Sequence, residues 1–355
     1  QVVKKYLKKN KMAMCLRDIL PRSGLSLEER QNVADIANDV IRWKRLYDYI
    51  LEEIGLANST ENYVNLANEG KQKDWNIDNF EIKYSVSTYV SSILKNKLEW
   101  IEHLNEKPPT ALCINFNKSS TEEIIGILEK EKLPAEKSSL ETAILTSSIG
   151  RYSSVVTNNL AHVQDESSQL ISFITVSLGD SILDFCAGNG GKSLAMASVT
   201  RNGKKIYAYD INPQKRLTLE RRLKQYNAEI SVLEKPFEKK FDVILVDAPC
   251  TGIGVARRNP EAKYVDGPGK YPEIQQNILE EASQKLKPNG YLFYTVCTFT
   301  PEETQEVVEK FSKEKGFKIL NLNNTSFAKF LNKTNDGAFI SLPKGDIFFI
   351  SLFKK

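Results

Sequence analysis

From about residue 150 onward the chain repeats one pattern: a short apolar run, a loop, an amphipathic stretch, then another apolar run. The spacing predicts strands over 181–186, 205–209, 230–233, 241–246, 290–296 and 346–353, with helices over 192–200, 213–226 and 272–286. Strands joined by crossover helices pack as a parallel, doubly wound sheet, and the last strand is expected to join antiparallel. In such a sheet the C-terminal ends of neighbouring strands share one crevice, where ligands bind. Two tetrads fall at that place. Asp247-Ala248-Pro249-Cys250 follows one apolar run, and Thr295-Val296-Cys297-Thr298 ends another. Two thiols and a carboxylate are therefore expected in one pocket.

A glycine turn adds a second constraint. Asp184-Phe185-Cys186-Ala187-Gly188-Asn189-Gly190-Gly191-Lys192 sits between a strand and a helix. Glycines there let a ligand approach the backbone and expose amides at a helix N-terminus. A Walker A loop needs Gly where Cys186 stands, and a dinucleotide fingerprint starting at Gly188 needs Gly or Ala where Ser193 stands. S-adenosylmethionine fits better: Asp184 opens the loop, and Asp210, 20 residues after Gly190, is placed to accept both ribose hydroxyls. Arg216, early in the following helix, is a further cofactor-side candidate. The competing reading is a plain tight turn with a capping Asp.

The chain has 5 cysteines, 2 histidines and no CxxC, which argues against a zinc site and against a disulfide scaffold. Covalent chemistry, if present, falls to cysteine. Cytosine carbon-5 is a poor nucleophile until a thiolate adds to carbon-6. An acid must then manage charge at ring N3, and a further group must assist release. Cys297, Asp247 and Cys250 supply that set, although the residues alone leave open which thiol attacks. A lone cysteine is more often core than catalyst; both of these lie just past strand ends, which weakens the core reading.

The runs DFCAGNGGKS (184–193), DAPCTGIGVARRNPEAKY (247–264) and YTVCTFTPEE (294–303) resemble the RsmB/Sun (Fmu) family of RNA 5-methylcytosine methyltransferases. The likeness implies a Rossmann-like class I methyltransferase domain, a mostly parallel seven-stranded sheet, and S-adenosylmethionine as cofactor. It makes Cys297 the nucleophile, Cys250 the residue aiding release and Asp247 the contact to a flipped cytosine. Lys192, Pro249, Arg257 and Arg258 become candidates for the RNA side, the two arginines as a phosphate-gripping strip. The turn from Asp184 to Lys192, with Asp210, Arg216 and Asp247, becomes the cofactor side. This sequence departs from the family at Gly188-Asn189, where Ala-Pro is usual, and at Tyr264, where Trp is usual. It also lacks an adenine-side Asp after the third strand; Ser231-Val232-Leu233-Glu234-Lys235-Pro236 stands there, with Glu234 the candidate replacement.

The N-terminal part is helical in pattern. Val33, Ile36, Ala37, Val40 and Ile41 recur at helical spacing behind Ser26 and Glu29, a capping box. This region resembles the NusB-like RNA-binding domain of bacterial family members. Three domains are expected: an all-α NusB-like one over 1–105, a small α/β (half ferredoxin-like) linker module over 106–150, and the methyltransferase domain over 151–355. RNA is the expected partner, with ribosomal RNA favoured over transfer RNA. A net charge of +4 does not argue for nucleic acid by itself, but Lys4, Lys5, Lys8, Lys9, Lys11, Arg17 and Arg22 crowd one end. The basic start has no signal-peptide apolar core, and no apolar run approaches the roughly eighteen residues of a membrane span. A cytoplasmic monomer without metal is expected. The rivals are a small-molecule or protein methyltransferase on the same fold, and a ribosome-assembly factor that kept the fold without turnover.

Overall fold

The computed structural model describes the chain except residues 9–10, 71–74, 76, 236–238 and 323–325, and the side chains of Ala13 and Ile149. Lys9 and Pro236, both singled out from the sequence, lie outside the described residues. Contacts divide the chain into two units, Gln1–Lys107 with Val255–Gly267, and Pro108–Gly254 with Pro268–Lys355.

The first unit is helical. Its central helix, Leu27–Arg42, starts as expected: the Ser26 side chain accepts from Glu29 N, and the Glu29 carboxylate accepts from Ser26 N. Val40 and Ile41 of this helix pack with Leu46, Tyr47, Ile50 and Leu51 of the next, Lys44–Glu53, in a common apolar core. Residues Val255–Gly267 belong to this unit although they come far later in the chain. Lys263, fully buried there, donates to Arg42 O at 2.7 Å, to Tyr84 O at 3.1 Å and to Asn105 Oδ1. The backbone acceptors, Arg42 O and Tyr84 O, sit at helix ends, where carbonyls lack intrahelical partners and a cation is favoured. Burial, then the Arg42 charge, holds the Lys263 ammonium well below its ordinary pKa.

The second unit holds both sheets. The smaller is antiparallel, with β1 (Thr110–Ile114), β2 (Glu136–Lys137), β3 (Ala143–Thr146) and β4 (Ala161–Val163) in the order β2-β3-β1-β4. With the helices Thr121–Lys130 and Ser154–Thr157 this makes the whole β-α-β-β-α-β arrangement, where the sequence suggested half of it. The missing half was hard to read because β2 has two residues and β4 three. β4 extends this sheet past residue 150.

The larger sheet has nine strands among the described residues: β5 (Ser181–Asp184), β6 (Lys205–Ala208), β7 (Ile230–Val232), β8 (Phe241–Asp247), β9 (Leu286–Val296), β10 (Lys318–Ile319), β11 (Leu331–Lys333), β12 (Ala338–Ile340) and β13 (Phe349–Lys354). Their order is β11-β12-β13-β9-β8-β5-β6-β7, with β10 also on β13. The run from β9 to β7 is parallel, and β13 joins β9 antiparallel, as the sequence predicts. The expected count of seven is corrected to nine. The additions are short pieces on the antiparallel side, too brief to show an alternation of their own.

Register fixes the crevice. Asp184 lies opposite Leu245 and Ala208, so β5 and β6 end together, and Asp247 lies opposite Thr295, so β8 and β9 run on two residues further along the same edge of the sheet. Gly190 opens the helix Gly191–Val199 at φ +84°, and a Cβ there would meet Leu219 Cδ1 at 2.2 Å. Gly254 faces backbone on both sides: its N–H donates to Cys297 O and its carbonyl accepts from Ile347 N, both at 3.0 Å. A Cβ at Gly254 would lie 2.0 Å from Ile347 O. Gly254→Ala is expected to destabilise the fold by about 2–3 kcal/mol, read as a lower denaturant midpoint at unchanged slope.

Candidate active site

The loops after β8 and β9 bring the two thiols together. Cys250 Sγ lies 3.4 Å from Cys297 Sγ, both half-buried and neither in a disulfide. Ala248 N donates to Thr295 O, continuing the β8–β9 pairing into the loops. The Cys250 thiol is pushed well above its ordinary range, first by the hydrogen bond to Cys297, then by burial and by the charges of Cys297 and Glu303. Cys250 is therefore a thiol at neutral pH and can donate to the other sulfur.

Beside them, Lys192 Nζ donates to Asp247 Oδ2 at 2.7 Å and stands 5.2 Å from the centre of the Phe348 ring. Burial would lower the lysine's pKa, but Asp247, Cys297 and Asp184 outweigh it and the pKa is raised. A fixed ammonium thus sits among a carboxylate and a sulfur, where it stabilises negative charge on either.

The same ends of the strands enclose a cavity of about 590 Å³. Asp184, Cys186, Ala187, Gly188, Asn189, Gly191, Lys192, Asp210, Asp247 and Pro249 line it. Gly190, Arg216 and the two thiols expected in this pocket, Cys250 and Cys297, are not among its lining residues. Gly190 packs on Leu219, and the Arg216 guanidinium donates to Asp210 O at 2.6 Å, holding the loop from behind. Sequence reasoning missed Gln164, Ser168, Tyr209, Ile211, Lys215, Ile278 and Glu281, which also line the cavity. Ile211, 83% exposed directly after Asp210, carried the clearest signal: an apolar side chain out of its core pattern. Glu234 is exposed and is not a lining residue; Glu281, from the helix Tyr271–Ser283, is.

Each carboxylate is held differently. Asp210 accepts from Gly188 N at 2.9 Å and Asn212 N at 2.8 Å, one on each oxygen. Asp184 is buried, with Ser193 Oγ donating to Oδ2 at 2.5 Å and Oδ1 left without a hydrogen-bond partner. Burial, reinforced by Asp247 and Asp210, raises its pKa to about 7 against the opposing effects of Ser193 and Lys192.

The expected phosphate strip is corrected. Arg257 is 2% exposed, and its guanidinium faces His103 Nε2 at 3.2 Å and Glu106 Oε2 at 3.5 Å within the helical unit. Its charge is committed inside the protein. Arg258 is half-buried. A second hollow of about 750 Å³, beside the helix Pro213–Tyr226 and β7, is lined by no thiol, histidine or aspartate.

A mostly parallel sheet with a glycine turn after β5 and a ligand-sized cavity at its strand ends is a Rossmann-like methyltransferase fold. The model of the family described as 16S rRNA methyltransferase RsmB/F matches residues 173–354, just over half of the chain, and the chain belongs to that family. It is 31% identical over 222 residues to the probable ribosomal RNA small subunit methyltransferase B of Bacillus subtilis, covering 58% of this chain and 50% of the relative. With the ribosomal RNA small subunit methyltransferase B of Shewanella oneidensis the identity is 27% over 260 residues, 69% of this chain and 60% of the relative. The chain thus spans about half the length of the curated relatives it matches. Among solved structures, NSun6 from Pyrococcus horikoshii, determined with SFG, superposes at TM-score 0.64 with 17% identity, over 75% of this chain and 96% of that one. PH0851 superposes at 0.80 with 20% identity, over 100% and 97%. At such identities these likenesses speak for the fold alone.

A carboxyl raised from its ordinary 3.8 to about 7 on folding stabilises the fold most at low pH, and that contribution is lost as pH rises through about 7. In Asp184→Asn the burial of charge is removed. The melting temperature of the variant minus that of wild type should therefore increase by several degrees between about pH 5 and about pH 8.

Proposed function

We propose that this protein methylates carbon-5 of a cytosine in RNA through a covalent adduct of Cys297. The observation that carries the reading is the pair of thiols 3.4 Å apart beside the Lys192–Asp247 pair at the edge of the cavity. A cavity serving simple methyl transfer to an amine or hydroxyl has no use for two adjacent thiols. A carbon that must first be made nucleophilic, and later released, has a use for both.

The cavity residues fit S-adenosylmethionine. Asp210 keeps acceptor capacity for the ribose hydroxyls after taking two backbone donors, and the unpartnered Asp184 Oδ1 offers a buried acceptor. When bound, the cofactor supplies an electrophilic methyl. This chain's residues do the rest. Cys297, as thiolate, forms a bond to carbon-6 and turns carbon-5 into an enamine carbon, while Asp247 faces ring N3 and Lys192 steadies the negative charge. After transfer, Cys250 passes its proton to the Cys297 sulfur as the carbon-6–sulfur bond breaks, and the Cys250 thiolate so formed takes the carbon-5 proton, whose bonding pair restores the double bond.

Ribosomal RNA is the favoured substrate because the relatives carry that name, and the helical unit is proposed as the NusB-like RNA-binding part; transfer RNA is the alternative. The base would enter flipped or single-stranded. The assembly-factor reading draws on Glu234 lying outside the cavity; titration calorimetry with S-adenosylmethionine decides it, since a protein that lost turnover this way shows no binding.

Cys250→Ala, mixed with the cofactor and small-subunit ribosomal RNA, should accumulate a protein–RNA band on a denaturing gel, with turnover down by roughly a hundredfold or more. Cys297→Ala should show no band and no methylation. Bands with the two cysteines reversed would exchange their roles.

A further inference from the structure

The carboxylate whose charge adds to the hold on the Cys250 proton also ties both thiol loops together. Glu303 is fully buried. Its Oε1 accepts from Thr251 N at 2.9 Å and Gln275 Nε2 at 3.1 Å, and its Oε2 from Thr251 Oγ1 at 2.6 Å and Thr300 Oγ1 at 2.9 Å, with Thr298 Oγ1 at 3.4 Å. Thr251 follows Cys250, and Thr298 follows Cys297. Gln275 Nε2 also donates to Pro249 O at 2.9 Å, on the other side of Cys250. An ionised carboxylate accepts about four hydrogen bonds and donates none, so its acceptor capacity is fully used here. A Gln can keep its oxygen on Thr251 N and Gln275 Nε2 only by turning its NH₂ to the threonine hydroxyls, which must then rotate to accept, and an Asp would fall short by a methylene.

The two thiols depend on this carboxylate unequally. Cys297 continues β9, whose Val296 pairs with Phe349 of β13, and its carbonyl accepts from Gly254 N. The sheet holds it. Cys250 stands in a loop whose residues on both sides hang on Glu303, one directly and one through Gln275. Resting on the function proposed above, we propose that Glu303 is a positioning residue for release, holding Cys250 against the Cys297 sulfur without taking part in attack.

The test uses the full chain with Glu303→Gln, first checked for an unchanged melting temperature and unchanged S-adenosylmethionine binding. Expected is a protein–RNA band that accumulates as in Cys250→Ala, a single-turnover methyl transfer close to wild type, and multiple turnover slower by roughly ten- to a hundredfold. In the double variant with Cys250→Ala the band should be no stronger than in Cys250→Ala alone, because both changes remove one function. A folded Glu303→Gln that releases RNA at the wild-type rate, or that fails to form the adduct at all, overturns the proposal. If Glu303→Gln does not fold, Gln275→Leu cuts only the tether to Pro249; it should accumulate a weaker band, and release at the wild-type rate overturns the proposal equally. Oxidation without RNA separates this from failure of the methyltransferase reading. Diamide takes up two electrons and two protons as Cys250 and Cys297 form a disulfide. That rate should fall severalfold in Gln275→Leu, which cuts the tether and keeps the Glu303 charge, whatever the substrate, and an unchanged rate refutes the positioning role.

Discussion

The pairing of β8 with β9 is the constraint on which the site depends. Asp247 stands opposite Thr295, so the two loops leave the sheet at one level and their thiols meet. A slip of one residue would turn Asp247 to the opposite face and separate the sulfurs. The register is secured by apolar side chains on both faces: Val243, Ile244, Leu245 and Val246 in one strand and Leu292, Phe293 and Tyr294 in the other are buried. The core of the sheet and the geometry of the chemistry are thus one structure.

Charge sets the second condition. Asp184, Asp210 and Asp247 crowd the strand ends, and the half-buried Lys192 ammonium meets Asp247 directly. Asp184, deepest of the three, holds its proton up to about pH 7, first because it is buried and then because Asp247 and Asp210 lie near it. Cys250 is kept protonated first by its hydrogen bond to Cys297, then by burial.

Much of this was legible in the chain. The tetrads at Asp247 and Thr295, the glycine turn and Asp210 each follow an apolar run, and local patterns of that kind survive without knowledge of tertiary contacts. What stayed hidden depends on partners distant in sequence. Arg257-Arg258 reads as a surface cation pair, yet the partners of Arg257, His103 and Glu106, lie some 150 residues earlier. Val255–Gly267 reads as part of the methyltransferase domain because it is continuous with it, while its Lys263 reaches carbonyls at Arg42 and Tyr84. Glu303, in a Pro-Glu-Glu run, looks like an ordinary charge near a helix start. Its importance appears only once Thr251 and Gln275 are seen around it.

The proposed bond is to cytosine carbon-5, and forming it requires loss of the carbon-5 hydrogen. The direct measurement supplies small-subunit ribosomal RNA transcribed with 5-tritiated cytidine, and counts tritium released to water against methyl groups transferred from S-adenosylmethionine. The account predicts one tritium released per methyl, with both lost in Cys297→Ala. Methyl transfer that leaves the tritium in the RNA would contradict it, placing the methyl on another atom.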